Sequence, residues 1–260
     1  PDRWNKEQIL EEHTFLGKLA ANEVPVIPPL KYDNNTLFFF DNIPFAVFHK
    51  KGGRALDEFD KESWQEIGRL LGRVHNVGET FKRSERIIWK PEIVTRKNAD
   101  YLLNGFLPRE YQKIFADISQ MFIEKTRTLF SIDPIFLIHG DCHKGNLIHR
   151  PGEGIFIIDF DDICVGPAVQ DLWMLLPGSP EESGQEMEWF LEGYEVFRKF
   201  NRASFILIPA LKVMRMLHFA AWCALQSKDQ HFIEHFSQWG TIKYWNELIK
   251  DIQNIVYSLV

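Results

Sequence analysis

The chain has 260 residues, 45% of them hydrophobic, which supports a sizeable core in one large domain or two. The formal net charge of −6, without a run of Lys or Arg, argues against nucleic-acid binding, because such modules concentrate basic residues on one face. Three widely spaced cysteines indicate a reducing compartment, and no apolar run approaches the roughly 20 residues that span a bilayer. We therefore expect a cytoplasmic protein without membrane or nucleic-acid partners.

The N-terminal part of the chain predicts one helix followed by short strands. Residues 5–20 carry apolar side chains at helical spacing, and the prolines of the segment 25–29 end that helix because proline removes a backbone donor. The runs 37–40 and 44–48 are rich in phenylalanine and other strand-forming residues. A helix and a small β structure are therefore expected before residue 50.

The glycines after these strands mark a boundary between two predicted lobes. Lys50-Lys51-Gly52-Gly53 interrupts the apolar pattern. We place a residual N-terminal lobe at residues 1–49 and a mainly helical C-terminal lobe at residues 50–260. Asp60 has the side chain of a helix N-cap, and Gly78 ends the helix that it starts. Further helices are predicted near 109–130, 167–177, 183–200, 204–227 and 241–258, with a buried strand at 134–138.

The stretch 138–146, Ile-His-Gly-Asp-Cys-His-Lys-Gly-Asn, is the most informative part of the sequence. It contains Asp141 and Asn146, and Asp159 follows thirteen residues after the asparagine, at the end of an apolar run. Kinase-type phosphoryl transfer uses an acid, an amide and a second acid at these spacings, since its chemistry is mostly positioning and charge neutralisation. The alternative is an ordinary β-hairpin with polar residues at its ends, but such a hairpin does not require this full set of residues at these spacings.

Two short β-prone runs flank the turn signal at 151–154 and predict a β-hairpin. We predict a register in which position 150 faces position 155 and Asn146 faces Asp159. Two oxygen-bearing side chains then converge at one end of the ladder. Such hard oxygen ligands suit Mg²⁺, which binds protein through one or two carboxylates plus substrate phosphates.

These side chains have distinct predicted roles. Asp141 is assigned as the base that orients the acceptor hydroxyl, and Asn146 and Asp159 as the ligands of Mg²⁺. His143, two residues after the base, either contacts the transferred phosphate or has a structural role. Asp161 crowds Asp159 with like charge, which favours a bound cation at this point.

At these motifs the chain resembles the aminoglycoside phosphotransferase and choline kinase superfamily, whose fold is like that of the protein kinases. The catalytic loop of that superfamily reads His-Gly-Asp-x-His-x-Gly-Asn, and its metal-binding strand reads apolar-apolar-Asp-aromatic-Asp/Glu. Within the superfamily the chain is most similar to the bacterial stress response kinases, from near residue 1 to about residue 225. The matching stretches are 139–146, 157–161, 3–4, 8–13, 24–26, 45–48, 52–54 and 166–176.

The resemblance implies an α+β, protein-kinase-like fold of two lobes, with a catalytic loop at 137–146 and a metal strand at 155–162. It implies an ATP-dependent kinase that uses Mg²⁺ and acts on Ser/Thr of proteins. A small-molecule kinase of the aminoglycoside, choline or homoserine type is one alternative, and a non-catalytic pseudokinase is another. We expect a monomer.

The resemblance also assigns the nucleotide site. Glu12 on the first helix is expected to pair with an ATP-binding lysine, and the backbone of Phe48-His49-Lys50 is expected to be the hinge that meets adenine. His139 and Asp171 are assigned supporting roles, in which they bond the backbone near the metal strand and in the catalytic loop.

One departure from the family concerns the start of the chain. The family opens with a hairpin that covers the phosphates and a strand that carries the ATP-binding lysine, whereas this chain begins at Pro1 and has no Gly-x-Gly-x-x-Gly motif. We therefore expect a part of a longer protein, with an incomplete N-terminal lobe. The short connection from Asp162 to Gly166 argues against a phosphorylated activation loop and, on structural grounds, favours a small acceptor.

Overall fold

The computed structural model describes residues 3–56 and 58–259, so that Pro1, Asp2, Asp57 and Val260 lie outside the described residues. Its elements confirm the predicted α+β class. The strands are β1 (Phe38–Phe40), β2 (Ile43–Phe45), β3 (Arg54–Ala55), β4 (Ile135–Ile138), β5 (Leu147–Arg150), β6 (Gly154–Ile157) and β7 (Cys164–Pro167). The helices are α1 (Lys6–Ala21), α2 (Lys61–Gly78), α3 (Arg96–Leu103), α4 (Arg109–Thr126), α5 (Gln170–Trp173), α6 (Gly184–Tyr194), α7 (Ile208–Gln226), α8 (Gln230–His235) and α9 (Ile242–Ser258).

The chain divides into two compact units, each made from two separate stretches of sequence. The first unit comprises Pro1–Ile87 and Pro134–Arg202, and it contains the strands β1 to β7 with α1, α2, α5 and α6. The second comprises Ile88–Asp133 and Ala203–Val260, where α3 packs on α4 and α7, and α9 packs on α4 and α7. The predicted lobe boundary at residue 50 is a different division of the chain and stays a prediction.

The helix starts follow local side-chain chemistry. Asn5 accepts a hydrogen bond from the Gln8 N–H, and the Gln8 side chain accepts one from the Asn5 N–H, so that a capping box begins α1. Asp60 accepts from the Ser63 N–H at 2.9 Å and caps α2, as predicted. The predicted helix at 167–177 is only the four residues of α5. The polar helices α3 and α8 were not predicted, because neither has a clear apolar stripe.

The β5–β6 hairpin corrects the predicted register by one residue. Arg150 pairs with Gly154, not with position 155, and Leu147 pairs with Ile157. Gly152 and Gly154 have φ angles of +79° and +85°, which lets a loop of only three residues close the hairpin. Asn146 therefore does not face Asp159 in the ladder. The other strand pairs are β1–β2, β3–β5 and β4–β7, all antiparallel.

One helical stretch, Arg202–Gln226, has the length and composition of a membrane span, although the sequence analysis found no such run. Half of its most apolar window is buried inside the protein. Leu211, Met214 and Leu217 of α7 have no exposed surface. A core helix meets the same criteria of length and apolarity, so this feature is weak evidence for a membrane span.

Helices α2 and α6 pack backbone to backbone through glycine. A Cβ atom on Gly193 of α6 would overlap the carbonyl oxygen of Gln65 on α2, and one on Gly68 would overlap that of Phe190. On Gly72 a Cβ would lie 2.9 Å from the Tyr194 oxygen. Only glycine permits this approach, and it brings Tyr194 of α6 close to the interior face of α2.

Replacing Gly193 with alanine should destabilise the protein, because the added Cβ must push the two helices apart. We expect Gly193→Ala to lower the free energy of unfolding by about 1–3 kcal/mol, measured by urea denaturation. Gly17→Ala is the matched control, since a Cβ there meets nothing within 4 Å in the exposed middle of α1. The control should be neutral or more stable by about 0.5–1 kcal/mol. If Gly193→Ala and Gly17→Ala changed the free energy of unfolding equally, close packing at Gly193 would be refuted.

Candidate active site

The loop that carries Asp141 directly follows the buried strand β4. β4 pairs with β7, with Ile138 opposite Cys164. Gly140 follows with a φ of +83°, and a Cβ at this position would overlap the carbonyl oxygen of Asp162. Glycine is required by both the angle and the contact. The loop after β4 and the turn after β6 are therefore in direct backbone contact.

Asp171 holds the backbone of this loop. Its fully buried carboxylate accepts hydrogen bonds from the N–H groups of His139 and Gly140, both at 2.8 Å. The neighbouring Gln170 donates its Nε2 to the Gly140 oxygen at 3.0 Å. Both carboxylate oxygens of Asp171 are thus bonded to the loop, and the supporting role assigned to it stays a prediction.

A second layer behind Asp171 was not predicted. His75 Nε2 lies 3.0 Å from Asp171 Oδ2, and His75 Nδ1 lies 2.8 Å from the Tyr194 hydroxyl. All three side chains are buried. Burial lowers the pKa of His75, although the Asp171 carboxylate opposes this effect. The neutral ring therefore donates from Nε2 and accepts from the tyrosine. A single histidine on a helix face carries no motif, which is why the sequence did not indicate it.

The lowered pKa of His75 predicts a pH dependence of stability. In the unfolded chain this ring takes up a proton below its ordinary value of 6.5, whereas the folded protein resists it. The free energy of unfolding should therefore fall as the pH drops below 6.5, by at most about 1.4 kcal/mol per pH unit from this group, with no contribution above. Urea denaturation between pH 7.5 and 5.5 should show a shallower slope for His75→Gln.

The exposed His231 provides the control for this measurement, because His231→Gln should leave the slope of the wild type unchanged. An identical slope in His75→Gln and the wild type would contradict the buried neutral state.

His139 joins the catalytic loop to the metal strand. Its Nε2 donates to the Ile158 oxygen at 2.9 Å, and its Nδ1 accepts from the Asp141 N–H at 3.3 Å. The ring is fully buried and has both nitrogens engaged by backbone. The His139 ring thus bonds only to backbone here, and the supporting role assigned to it stays a prediction.

Asn146 is oriented toward the same region by its own amide. The side-chain Nδ2 donates to the Asp141 main-chain carbonyl oxygen at 2.9 Å. The main-chain carbonyl oxygen of Asn146 accepts from the Ile158 N–H at 3.0 Å. The side chain is 5% exposed. Because the NH₂ group faces the loop, the acceptor oxygen Oδ1 is the atom left to meet a cation. Asn146 thus bonds to the residue directly before Asp159.

His143 caps the short turn that precedes Asn146. Its Nδ1 accepts from the Gly145 N–H at 3.0 Å, so Nε2 is the ring nitrogen that can donate. That nitrogen lies 3.8 Å from Asp141 Oδ2, and the His143 side chain is 43% exposed. The ring therefore presents a donor to the solvent side of the predicted base.

Asp159 stands at a bend directly after β6. Its φ of +64° is in the left-handed region, which is uncommon outside glycine but accessible to aspartate. Burial raises the pKa of Asp161, and the negative charge of Asp159 raises it further. Two carboxylates thus lie close together in a partly buried turn, an arrangement that a bound cation would stabilise.

A cavity of about 400 Å³ in the first unit contains the predicted nucleotide residues. Glu12 and Phe48-His49-Lys50 line it, together with Asp159 and Asp161. Asp141, His143 and Asn146 are not among its lining residues. Apolar side chains form the rest of the wall, namely Leu16, Ile27, Ile148, Ile157, Ile158 and Phe160, together with Lys51.

Glu12 is paired with a residue that the sequence analysis missed. Its Oε2 lies 3.0 Å from Nη2 of Arg86, whose side chain has no exposed surface. Burial and then the charge of Asp161 raise the pKa of Glu12 to about 7, although Arg86 opposes both. The cavity wall therefore carries the carboxyl groups of Glu12, Asp159 and Asp161 and the ammonium groups of Lys50 and Lys51, while Arg86 pairs with Glu12 without lining the cavity.

The donor set fits a hard divalent cation. Among residues 3–56 and 58–259, no group of three or more His, Cys, Asp or Glu side chains is placed to hold a metal by itself. One amide oxygen at Asn146 and the carboxylate of Asp159, completed by phosphate oxygens and water, are the ligands that Mg²⁺ accepts. Burial raises the pKa of the carboxyl groups of Asp161 and Glu12, and a nearby cation would favour their charged forms.

The fold and the site define a phosphotransferase of the kinase class, and comparison with known proteins agrees. The model of a family described as phosphotransferase enzyme family matches residues 1–206. The chain is 34% identical to stress response kinase A of Escherichia coli, over 94% of this chain and 75% of that protein. The serine/threonine protein kinase RdoA of Salmonella typhimurium has the same identity and coverage. Among solved structures, an amicoumacin kinase bound to AMP-PNP and Ca²⁺ is 19% identical, with a TM-score of 0.74 over 98% of this chain and 79% of that chain.

The chain belongs to the phosphotransferase enzyme family. It is an ATP-dependent kinase with a protein-kinase-like fold, and the use of a nucleotide and a divalent metal follows from that membership.

Proposed function

We propose that this kinase transfers the γ-phosphate of Mg-ATP to a Ser/Thr hydroxyl of a protein. The observation that carries the proposal is the arrangement of Asp141, Asn146 and Asp159 on two loops in backbone contact. Protein as the acceptor is supported by the relatives at 34% identity, which are named as a stress response kinase and a serine/threonine protein kinase.

In this proposal each side chain has one task. Asp141 accepts a hydrogen bond from the acceptor hydroxyl and takes its proton as the new P–O bond forms and the bond from the γ-phosphorus to the β–γ bridging oxygen breaks, which releases ADP. Asn146 Oδ1 and the Asp159 carboxylate hold Mg²⁺, which, when bound, neutralises charge on the phosphates. His143 Nε2–H lies on the open side of the base and donates to the transferred phosphoryl group.

The nucleotide occupies the cavity in the same proposal. The backbone of Phe48-His49-Lys50 meets the adenine, and the apolar side chains around it exclude water from the ring. Glu12 lies at the phosphate end with Asp159 and Asp161. Burial raises the pKa of the Glu12 carboxyl group. A bound cation lowers that pKa again and so favours the ionised carboxylate, since opposite charge favours the charged form.

A small-molecule kinase is the second candidate. The specific observation in its favour is the short path after the metal turn, because only one residue separates Asp162 from β7 at Cys164. Such a path leaves no long loop to bind an extended peptide. A pseudokinase is disfavoured because the three polar groups of the site are intact.

We also propose that the protein is a cytoplasmic monomer without nucleic-acid or membrane partners. The support is the acidic composition and the three unpaired, buried cysteines Cys142, Cys164 and Cys223. Gel filtration of the full-length protein tests the monomer.

Substitution of the base should abolish turnover while it preserves nucleotide binding. We expect Asp141→Asn to lower phosphate transfer by about 10²–10⁴-fold, because the amide cannot accept the proton. The measurement uses labelled Mg-ATP and the full-length protein in a cell extract, separated into protein-bound and small-molecule products. Asp251→Asn, at an exposed position of α9, is the control and should keep wild-type activity.

The fraction that carries the label decides the acceptor. Asp141-dependent label on protein supports the Ser/Thr kinase. Label only in a small molecule assigns a metabolite or drug kinase, and Asp141-independent or absent label contradicts catalysis by this site.

Loss of the carboxylate at Asp159 should weaken the metal site selectively. We expect Asp159→Asn to raise the Mg²⁺ concentration for half-maximal activity at least about 10-fold, the loss seen for groups that only support a metal ligand. Activity titrations with Mg²⁺ at saturating ATP give this value, and EDTA should remove activity altogether. A Mg²⁺ requirement equal to that of the wild type would exclude Asp159 as a ligand.

A further inference from the structure

Arg86 lies in the interior, and each of its three guanidinium nitrogens donates a hydrogen bond. Its Nε donates to the Gln8 carbonyl oxygen at 3.1 Å, its Nη1 to the Asp161 carbonyl oxygen at 2.6 Å and its Nη2 to Glu12 Oε2 at 3.0 Å. The side chain is 0% exposed. Gln8 and Glu12 lie one helical turn apart on α1, whereas Asp161 lies in the turn after β6. One planar group therefore links two elements that line the nucleotide cavity.

Aromatic and charged side chains enclose this arginine on its outer side. The Arg86 guanidinium carbon lies 4.4 Å from the centre of the Trp4 ring, and that of Arg3 lies 5.0 Å from the same ring. Arg3 also forms an ion pair with Asp162, the last residue of the metal turn. The segment before α1 thus covers the link and adds a second tie to the same turn.

The contacts are more specific than burial of an arginine requires. A buried charge is tolerated only when it is paired and hydrogen-bonded, and here two of the three acceptors are backbone carbonyls. Backbone acceptors fix the position of the main chain itself. The Asp161 carbonyl lies two residues after Asp159, so the contact from Nη1 restrains the bend that aims the Asp159 carboxylate. Lysine cannot reproduce this, since an ammonium lacks the planar fork.

We propose that Arg86 is the positioning residue of the nucleotide and metal site. It holds Glu12 at the phosphate end of the cavity and fixes the main chain directly after Asp159. The inference rests on the proposed function for the identity of the ligands, and it adds a residue that touches neither nucleotide nor metal. Its loss should therefore weaken binding of Mg-nucleotide more than it slows the phosphoryl-transfer step.

Arg73 offers a matched comparison elsewhere in the same unit. Its Nη2 donates to the Asn22 carbonyl oxygen at 2.6 Å at the C-terminal end of α1, and its guanidinium lies 5.8 Å from the Phe197 ring. It thus also ties α1 to another part of the unit through a backbone carbonyl and an aromatic ring. Neither arginine lines the cavity, but Arg86 contacts two lining residues, Glu12 and Asp161, whereas the residues that Arg73 contacts do not line it.

The test compares Arg86→Met, Arg86→Lys and Arg73→Met in the full-length protein. Calorimetric titration with Mg-AMP-PNP measures binding without turnover, and steady-state kinetics separates KM for ATP from kcat. We expect the Kd and the KM to rise about 10- to 100-fold in Arg86→Met, with a smaller change in kcat. Arg86→Lys keeps the charge, so it should fold and still bind several-fold more weakly. Arg73→Met should bind as the wild type does, even if its melting temperature falls equally.

The outcomes separate this inference from the proposed function. Wild-type Kd and KM in folded Arg86→Lys and Arg86→Met would overturn the positioning role and leave the kinase assignment intact. Weaker binding in both Arg86 variants, without Asp141-dependent transfer in the wild type, would support Arg86 and overturn the proposed reaction. Absence of Mg-AMP-PNP binding by the wild type would overturn both. Equal weakening in Arg73→Met would show a general loss of α1 and contradict a specific role.

Discussion

The candidate site depends on one buried carboxylate. Asp171 has no exposed surface, and a charge in that position is tolerated only when donors replace the water it has lost. The N–H groups of His139 and Gly140 and the ring of His75 supply those donors. Two of the three belong to the loop that carries Asp141. The hydrogen bonds that satisfy the Asp171 carboxylate therefore also fix the loop. If the loop moved away, the buried carboxylate would lose these donors and be left unpaired.

Charge in the nucleotide cavity is arranged in a different way, since the carboxyl groups share the wall with the ammonium groups of Lys50 and Lys51. Glu12, Asp159 and Asp161 share one cavity, and Arg86 is the buried cation that contacts one of these carboxylates. Burial and mutual repulsion raise the pKa of Glu12 and of Asp161 as a result. A site that binds a cation together with a polyphosphate needs groups of both signs, because the metal is attracted by carboxylates and the phosphates by cationic side chains.

The sequence was sufficient to predict those features that depend on residues close together along the chain. The loop from His139 to Asn146 could be assigned because its residues are close in sequence, and the cap at Asp60 because capping depends on four consecutive residues. The hairpin register was wrong by one residue, since pairing depends on the backbone angles of glycines and not on β propensity. His75 and Arg86 could not be predicted at all. Their partners lie 96 and 74 residues away along the chain, and single histidines and arginines carry no motif.

The path after the metal turn limits how this site can change shape. β7 begins at Cys164, two residues after Asp162, and pairs along its whole length with β4, which leads into the catalytic loop. Gly140 of that loop contacts the Asp162 carbonyl oxygen. A displacement of the metal turn would therefore strain the catalytic loop as well, and the two move as one body. Helix α1 also lines the cavity, and it contacts the turn through Arg86 and through the rings of Phe15 and Phe160, whose centres are 5.9 Å apart. Rearrangement of the site when nucleotide binds is accordingly expected at α1, where Arg86 links Glu12 to the turn.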